Sequence, residues 1–281
     1  MGNVKTIGIR GTDLKSVSLR EENFDNSPNS FVWDQNSYSE PIFWIDGKLH
    51  TRAFYGVCDD DEVECALLVE PPHLRPENYQ AAIENQDQFK YIFTYDRKTL
   101  AQLDPQRRRF YVLGGSSIAF DKWRMYPKTK DVCMFYSGKN STEGHRLRTK
   151  IVDDLGGRID VFGKGVGGHV PSKFEILKHY RYCIVIESGQ ADYYFTEKIV
   201  DPISVGTIPV YWGCPSISKF FNETGITPLE WILEDGGFDY WLTEERYNSL
   251  KHVMAKNLEK ARNYAICEDW MYNTYPEIFN D

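Results

Sequence analysis

Residues 182–212 constrain the fold of this chain more than any other stretch. Residues 182–186 form an almost wholly apolar run, which is typical of a strand that is buried on both faces. A helix is predicted to begin at Thr196 and end at Gly206, and residues 207–212 read as the next strand. Two strands joined by one helix over this distance form a right-handed crossover unit, so they are expected to be parallel neighbours in one sheet.

The same alternation of strands and helices runs through both halves of the chain. In the second half, strands are expected at 131–137 and 159–162 and helices at 145–155, 173–180 and 244–265. In the first half, strands are expected at 5–9, 30–33, 42–45, 65–69 and 91–94, with a helix at 76–86. The turn-rich region 106–130 separates them, so we predict an N-terminal α/β lobe at 1–125 and a C-terminal α/β lobe with a helical tail at 126–281.

Charge and cysteine usage exclude some classes of protein. The formal net charge of −8 argues against a nucleic-acid partner, because such proteins usually carry a basic patch. The six cysteines are scattered without metal-binding spacing, which favours reduced thiols in an intracellular protein, although a Cys58–Cys65 disulfide stays open. No apolar run is long enough to span a membrane, so we expect a soluble, cytoplasmic or other intracellular protein, unless the chain derives from a membrane-anchored parent.

The start of the helix at Thr196 is the candidate functional site. Thr196 is placed as the N-cap, with Glu197 and Lys198 in the first turn, at the carboxyl edge of the predicted sheet. Free N–H groups and the helix dipole favour an anion there. A lysine in the first turn opposes the dipole, which indicates that its positive charge serves a bound anion; the alternative is an ordinary crossover helix with solvated side chains. Pro202 lies inside this helix and predicts a kink or a short helix.

Residues 194–213, which begin Tyr194-Phe195-Thr196-Glu197-Lys198, resemble the donor-binding signature of glycosyltransferase family ten, the α1,3/4-fucosyltransferases. The resemblance extends through residues 173–177, 180–182 and 187–188, and more loosely to 144–148 and 160–163, whereas the first 120 residues match poorly. It implies α/β architecture with two Rossmann-like lobes facing across a cleft, the GT-B type. It also implies a GDP-sugar donor in the second lobe, a glycan acceptor mainly on the first, inversion at the anomeric carbon, and no required metal cofactor.

The resemblance assigns five residues to the donor. Lys198 and Arg148 would contact the donor diphosphate, although Arg146 is an alternative for the second in the same turn. Tyr194 and Glu197 would contact the nucleotide or the sugar, and Glu197 either binds a hydroxyl or stabilises the cationic sugar in the transition state. Ser188 stands where the family often has asparagine, so the ribose or base contact there is in question, and with it the identity of the donor. GDP-fucose is the expected donor; another GDP-sugar such as GDP-mannose stays open.

An inverting transfer needs a general base, and Glu70 is the candidate. It follows an apolar run and resembles a Glu-x-Pro step of the family's first lobe; the alternative is a surface carboxylate at a strand end. The acidic block at 59–62 is read as a solvated loop rather than a metal site.

Two other functions fit parts of the sequence. Residues 163–168 fit G-x-G-x-x-G, with Glu187 about twenty residues on, as an NAD(P)-dependent oxidoreductase would require. However, Pro171 prevents the motif from opening directly into a helix. A catalytically silent protein that binds a nucleotide or a glycan is the second alternative. The acceptor, the linkage and the oligomeric state cannot be read from the sequence.

Overall fold

The computed structural model describes residues 5–10, 30–38, 40–52, 63–168, 170 and 172–279. The chain divides into two compact units. Unit 1 comprises Met1–Leu113 and Ile266–Asp281, and unit 2 comprises Gly114–Ala265. The sequence placed the boundary at residue 125 and kept the whole tail with the second lobe. In the structure the division comes at Leu113, and the last residues return to unit 1.

Unit 1 contains a parallel sheet of six strands in the order β2-β1-β3-β4-β5-β6. Its strands are β1 (Lys5–Arg10), β2 (Phe31–Asp34), β3 (Ile42–Ile45), β4 (Glu64–Leu67), β5 (Tyr91–Thr94) and β6 (Arg108–Phe110). Its first helices are α1 (Leu49–Arg52), α2 (Pro76–Glu84) and α3 (Arg97–Leu100). Burial of α2 against the sheet forms a core that includes Leu68, Tyr79, Phe89 and Ile92.

Unit 2 contains a parallel sheet of five strands in the order β11-β10-β9-β7-β8. Its strands are β7 (Lys130–Phe135), β8 (Asp160–Phe162), β9 (Tyr180–Ile186), β10 (Ile208–Trp212) and β11 (Thr227–Pro228). Its helices are α4 (Glu143–Leu155), α5 (Lys173–Leu177), α6 (Glu197–Ser204), α7 (Leu229–Leu233), α8 (Gly237–Trp241) and α9 (Glu244–Ala261). Every residue of β9 and β10 is buried, as their apolar composition predicts for central parallel strands.

The last two helices, α10 (Cys267–Thr274) and α11 (Pro276–Phe279), pack on the sheet of unit 1. The Phe279 ring stacks on Phe31 and Phe43, with ring centroids 5.3 and 5.8 Å apart. Burial of an aromatic ring removes a large apolar area from water, and this explains why the tail joins the first unit.

Both sheets follow the doubly wound order 2-1-3-4-5, extended by one strand in unit 1. In such sheets ligands bind beyond the carboxyl ends of the strands, near the point where the strand order reverses. That point lies between β1 and β3 in unit 1 and between β7 and β9 in unit 2. The prediction of two Rossmann-like α/β lobes is confirmed.

Two sequence predictions concern the environment of the protein. Within the described ranges, the structure has no helix long and apolar enough to cross a membrane. Five cysteines are free and buried, namely Cys65, Cys133, Cys183, Cys214 and Cys267. Cys58, and with it the Cys58–Cys65 alternative, lies outside the described residues, and the cellular location stays a prediction.

Candidate functional site

Helix α6 begins as the sequence predicts. Thr196 is its N-cap, and its hydroxyl oxygen accepts hydrogen bonds from the backbone N–H of Lys198 at 3.3 Å and from Lys198 Nζ at 3.0 Å. The helix has eight residues and ends two residues after Pro202, so the prediction of a short helix is confirmed. Gly206, with φ +75°, then turns the chain into β10, a conformation that costs glycine little.

Glu187, directly after β9, ties the strand end to this helix. Its side chain is fully buried and accepts hydrogen bonds from Thr196 N at 3.0 Å and from the Thr196 hydroxyl at 2.9 Å. Lys198 Nζ lies 3.6 Å from Glu187 Oε2. Burial raises the pKa of Glu187, and the nearby Lys198 ammonium offsets part of that rise. A fully buried carboxyl group is thus held beside the Lys198 ammonium.

Close approach of the backbone around Glu187 requires glycine. A Cβ atom on Gly144, at the start of α4, would lie 1.8 Å from the Glu187 carbonyl oxygen. A Cβ atom on Gly213, after β10, would lie 2.6 Å from Glu187 Cγ. Both distances are far below van der Waals contact, so these glycines let the start of α4 and the ends of β9 and β10 converge.

Charged side chains of alternating sign continue from Glu187 along α6. Glu197 Oε1 lies 3.3 Å from Lys198 Nζ and 3.5 Å from Lys173 Nζ, and Lys173 also contacts Asp201 Oδ2 at 3.0 Å. Burial raises the pKa of Glu197, but the charges of Lys198 and Lys173 outweigh that effect and lower the pKa to about 2. For Lys198, burial lowers the pKa while Glu197 and Glu187 raise it, with a net rise. Glu197 is therefore an ionised carboxylate and Lys198 a full cation at neutral pH.

Asp201 anchors the far end of this network. Its carboxylate is almost fully buried and accepts hydrogen bonds from the Ser116 hydroxyl at 3.0 Å and from the Ser117 N–H and hydroxyl at 2.7 and 2.5 Å. Sequence reasoning missed this role of Asp201 and quoted Lys173 only as part of the family resemblance. The spacing of four residues between Glu197 and Asp201, which puts both carboxylates on one helix face, was the available signal.

Arg148 lies on the inner face of α4, where it is buried. Its Nε donates to the Ile186 carbonyl at the end of β9 at 2.9 Å, and its Nη2 donates to the same oxygen. Burial lowers the pKa of Arg148, and the carboxylates of Glu187 and Glu197 oppose that change. Arg146, the alternative left open by the sequence, is exposed on the other side of the helix. The geometry therefore favours Arg148 as the arginine of this site.

His145 occupies the first turn of α4 beside these cations. The helix is capped by Thr142, whose hydroxyl accepts from His145 N at 3.2 Å, and His145 Nδ1 lies 3.1 Å from the Ser141 hydroxyl. Burial, together with the charges of Arg148 and nearby lysines, lowers the pKa of His145 to about 4. The imidazole is therefore neutral at pH 7 and adds no positive charge to the site.

Ser188 and Tyr194 complete the group of residues that the sequence singled out in unit 2. The Ser188 hydroxyl lies 3.1 Å from the hydroxyl of Tyr194, and the Ser188 carbonyl accepts from Gly144 N at 3.0 Å. Between them, Tyr193 has φ +63°, an unusual conformation for a residue with a side chain, and its N–H donates to the Ser216 hydroxyl at 2.9 Å. Strained backbone of this kind gathers at functional sites.

The structure thus brings Arg148, Ser188, Tyr194, Glu197 and Lys198 together at the carboxyl edge of one sheet. Glu70 lies in unit 1, three residues after β4. Its N–H donates to the carboxylate of Asp46, a residue that sequence reasoning missed.

No described residues form a group of three or more histidine, cysteine, aspartate or glutamate side chains that would hold a metal ion. The acidic block at 59–62 lies outside the described residues. The glycine motif at 163–168 forms the short 3₁₀ helix Lys164–Val166, and the next α-helix begins at Lys173.

Comparison with known proteins identifies the part of the chain that carries this site. Residues 125–224 match the model of the glycosyltransferase family 10 (fucosyltransferase) C-terminal domain. The chain is 38% identical over 81 residues to the α-(1,3)-fucosyltransferase FucT of Helicobacter pylori, a match that covers 27% of this chain and 17% of that protein. It is 42% identical over 59 residues to the GDP-fucose protein O-fucosyltransferase 3 of Bos taurus, covering 20% and 12% respectively. The matched segments are thus a small part of these relatives.

Solved structures match over a larger part of the chain. An α1,3-fucosyltransferase crystal structure aligns with 100% of this chain and 91% of its own, at a TM-score of 0.55 and 15% identity. The same kind of enzyme with GDP-fucose aligns at a TM-score of 0.51 and 16% identity, covering 99% and 89%. Anabaena HepE in complex with UDP-glucose aligns at 0.58 and 11% identity, covering 85% and 78%. These likenesses show a shared fold, and the predicted GT-B class is confirmed.

The site described above, from Arg148 through Lys198, falls wholly inside the matched segment. Residues 125–224 of this chain are thus similar to the C-terminal domain of glycosyltransferase family 10, the fucosyltransferase family.

Proposed function

We propose that this protein transfers fucose from GDP-fucose to a hydroxyl group of a glycan, with inversion at the anomeric carbon. The observation that carries the proposal is the position of Lys198, a half-buried cation at the N-terminus of α6, inside a segment that matches the fucosyltransferase model. The relatives named for fucose transfer support the sugar, and the names that include GDP-fucose support the nucleotide.

Donor binding would use the positive charge that the site holds. In this proposal the diphosphate binds at the N-terminus of α6, where the positive end of the helix dipole and the Lys198 ammonium would meet it. Arg148 offers a planar fork that can grip two phosphate oxygens, which complements the point charge of lysine. Because these side chains supply the compensating charge, the proposed transfer requires no metal cofactor.

The proposed chemistry is a single displacement. The acceptor hydroxyl oxygen forms a bond to the anomeric carbon as the bond from that carbon to the diphosphate oxygen breaks, GDP leaves, and the hydroxyl proton passes to Glu70. Glu197 is unsuited to that last role because a carboxylate with a pKa of about 2 holds a proton poorly. Its fixed negative charge suits a hydrogen bond from a sugar hydroxyl or stabilisation of positive charge on the sugar.

The rival functions have less support. The fold does not choose the nucleotide, since HepE with UDP-glucose is as similar in structure as the fucosyltransferases. For an NAD(P)-dependent oxidoreductase, Glu187 would have to bind a ribose hydroxyl, but its carboxylate is fully buried and bonded to Thr196. A silent binding protein and the use of another GDP-sugar are outcomes of the experiment below.

Thermal unfolding with millimolar GDP, GDP-fucose, GDP-mannose, UDP-glucose and NAD, followed by assay of transfer to glycans, tests the proposal. A ligand at 100 times its Kd stabilises the fold by about 2.7 kcal/mol, which raises the melting temperature by a few degrees. We expect GDP and GDP-fucose to do so. Stabilisation by NAD alone, or by UDP-glucose alone, would overturn the donor assignment. Binding of GDP-fucose with no transfer to any glycan would indicate the silent protein.

Substitution of the base tests the chemistry. Glu70→Gln should lower turnover by about 10²- to 10⁴-fold, the usual contribution of a general base, and leave stabilisation by GDP unchanged. Glu77→Gln, which alters an exposed carboxylate in the first turn of α2, is the matched control. Equal turnover in the two variants would remove Glu70 from the mechanism.

A further inference from the structure

The three residues 68–70, which lead from β4 to Glu70, are held by buried tyrosine hydroxyl groups. Each of their carbonyl oxygens accepts a hydrogen bond from a different tyrosine. The pairs are Tyr111 Oη to Leu68 O at 2.8 Å, Tyr95 Oη to Val69 O at 3.2 Å, and Tyr79 Oη to Glu70 O at 2.8 Å. The three tyrosines come from α2, from the residue after β5, and from the residue after β6. Successive carbonyls of one segment are thus bonded from three separate parts of unit 1.

The N–H groups of the same segment are also all bonded. The Asp46 carboxylate accepts from Val69 N at 3.0 Å and from Glu70 N at 3.2 Å, while Leu68 N donates to the Phe93 carbonyl at 3.0 Å. Asp46 directly follows β3 and has φ +44°, in the left-handed region. Every backbone N–H and C=O group of residues 68–70 therefore has a partner, although β4 ends at Leu67.

Packing alone does not explain these tyrosines. Tyr95 and Tyr111 have no exposed surface, and Tyr79 is 5% exposed, so each hydroxyl group has been taken out of water. A buried hydroxyl costs free energy unless it is hydrogen-bonded, and phenylalanine would fill the same space without that cost. Burial raises the pKa of Tyr79 and of Tyr111, so both keep their protons at neutral pH and remain donors. The hydrogen bonds to the carbonyls of residues 68–70 offset the cost of burying these hydroxyl groups.

We propose that Asp46, Tyr79, Tyr95 and Tyr111 are positioning residues, which fix the backbone of residues 68–70 and thereby orient the Glu70 carboxylate toward the acceptor hydroxyl. The inference rests on the proposed function, in which Glu70 is the general base. Proton abstraction requires the base within hydrogen-bond reach of the hydroxyl, and an error of about 1 Å in such a placement costs on the order of 10² in rate. Beyond the end of β4 at Leu67, these four residues hold the segment together with the bond from Leu68 N to the Phe93 carbonyl.

The test compares Tyr111→Phe and Asp46→Ala with a matched control, Tyr275→Phe. Tyr275 is another tyrosine of unit 1 whose hydroxyl donates to a backbone carbonyl, that of Phe110, at 2.8 Å. We expect Tyr111→Phe and Asp46→Ala to lower kcat by about 10- to 100-fold with the KM for GDP-fucose unchanged, and the control to stay within about twofold. Asp46→Asn keeps one acceptor oxygen and should recover part of the loss.

A double-mutant cycle with Glu70→Gln separates positioning from general damage. A residue that acts through Glu70 has nothing left to orient once the base is gone. Tyr111→Phe and Asp46→Ala should therefore have almost no further effect on kcat in the Glu70→Gln background, whereas a loss of general structure would persist there. Melting temperatures of all variants establish that they are folded at the assay temperature.

The outcomes distinguish the inference from the function on which it rests. The inference is supported if Tyr111→Phe and Asp46→Ala lower kcat as single variants but cause no further loss of kcat in the Glu70→Gln background. The inference is overturned if Tyr111→Phe and Asp46→Ala keep the wild-type kcat, or if they lower kcat equally in the wild-type and Glu70→Gln backgrounds. In either case, fucose transfer by the wild-type protein still upholds the proposed function. Absence of fucose transfer by the wild-type protein overturns the function, and the inference with it.

Discussion

The carboxyl edges of the two sheets share a topology and differ in electrostatics. In unit 2, Glu197 is surrounded by the ammonium groups of Lys198 and Lys173, which lower its pKa to about 2 despite its burial. In unit 1, Asp46 accepts hydrogen bonds from two backbone N–H groups, and burial still raises its pKa to about 6. Neutral donors compensate a buried carboxylate less well than cations do.

Under the proposed function, this difference gives the two edges separate roles. The cations of unit 2 suit a charged phosphate group, and the carboxylates that accompany them keep the unliganded site close to neutral. The edge of unit 1 holds carboxylates beside neutral hydroxyl and amide donors, which suits an uncharged hydroxyl substrate and the transfer of its proton. Three predictions test the comparison.

The largest effect is expected from Lys198→Ala, because this change should lower both the affinity for GDP and the stability of the fold. Loss of a charge-assisted contact to phosphate should lower the affinity for GDP by about 10- to 100-fold, and the melting temperature should also fall because the buried Glu187 loses its ammonium partner. Titration calorimetry with GDP measures the affinity. Lys150→Ala, which removes a surface lysine paired with Asp154 on α4, is the control and should bind GDP as the wild type does. If Lys198→Ala binds GDP as tightly as the wild type does, the proposal that this edge of unit 2 binds the phosphate groups is wrong.

The next effect concerns Glu197→Gln and acid stability. Because the pKa of Glu197 is lowered from 4.5 to about 2, its charge stabilises the folded state above pH 4.5, by up to about 3 kcal/mol. That contribution is lost as the pH falls toward 2. Urea unfolding should therefore show Glu197→Gln less stable than the wild type at pH 7, with a gap that narrows by pH 3.5. Glu259→Gln, at an exposed pair on α9, should match the wild type at both values. A difference in stability between Glu197→Gln and the wild type that is the same at both pH values would mean that Lys198 and Lys173 do not lower the pKa of Glu197.

The smallest effect has the opposite sign and belongs to Asp46→Asn. The pKa of Asp46 is raised from 3.8 to about 6 by burial, with a further contribution from the Glu70 carboxylate, so the folded state favours its protonated form. As the pH rises from about 4 to 6, the wild type should lose stability relative to Asp46→Asn, by on the order of 1 kcal/mol after solvent screening. Urea midpoints at pH 4.5 and 7 measure the change. A difference between the two proteins that does not vary with pH would contradict the contrast between the two edges.

Much of the fold could be predicted because its signals are local. The apolar run of β9, the capping threonine of α6 and the glycine after that helix each report on neighbouring backbone, and the observed elements lie within a few residues of the predicted ones. The boundary between the two units is harder to predict from the sequence. The docking of Phe279 on Phe31 joins residues far apart in the chain, and periodicity carries no information about such contacts.

The residues of the candidate donor site could be identified from the sequence alone. Thr196, Glu197 and Lys198 are consecutive, so one helix start specifies their placement, and the family resemblance covers the same segment. Tertiary structure alone decided which of Arg146 and Arg148 faces the strand ends, and it brought Asp201 to Ser116 and Ser117 and Asp46 to the backbone of Glu70. The physical reason is that the protonation and orientation of a buried charge depend on every group packed around it, and those groups come from distant parts of the chain.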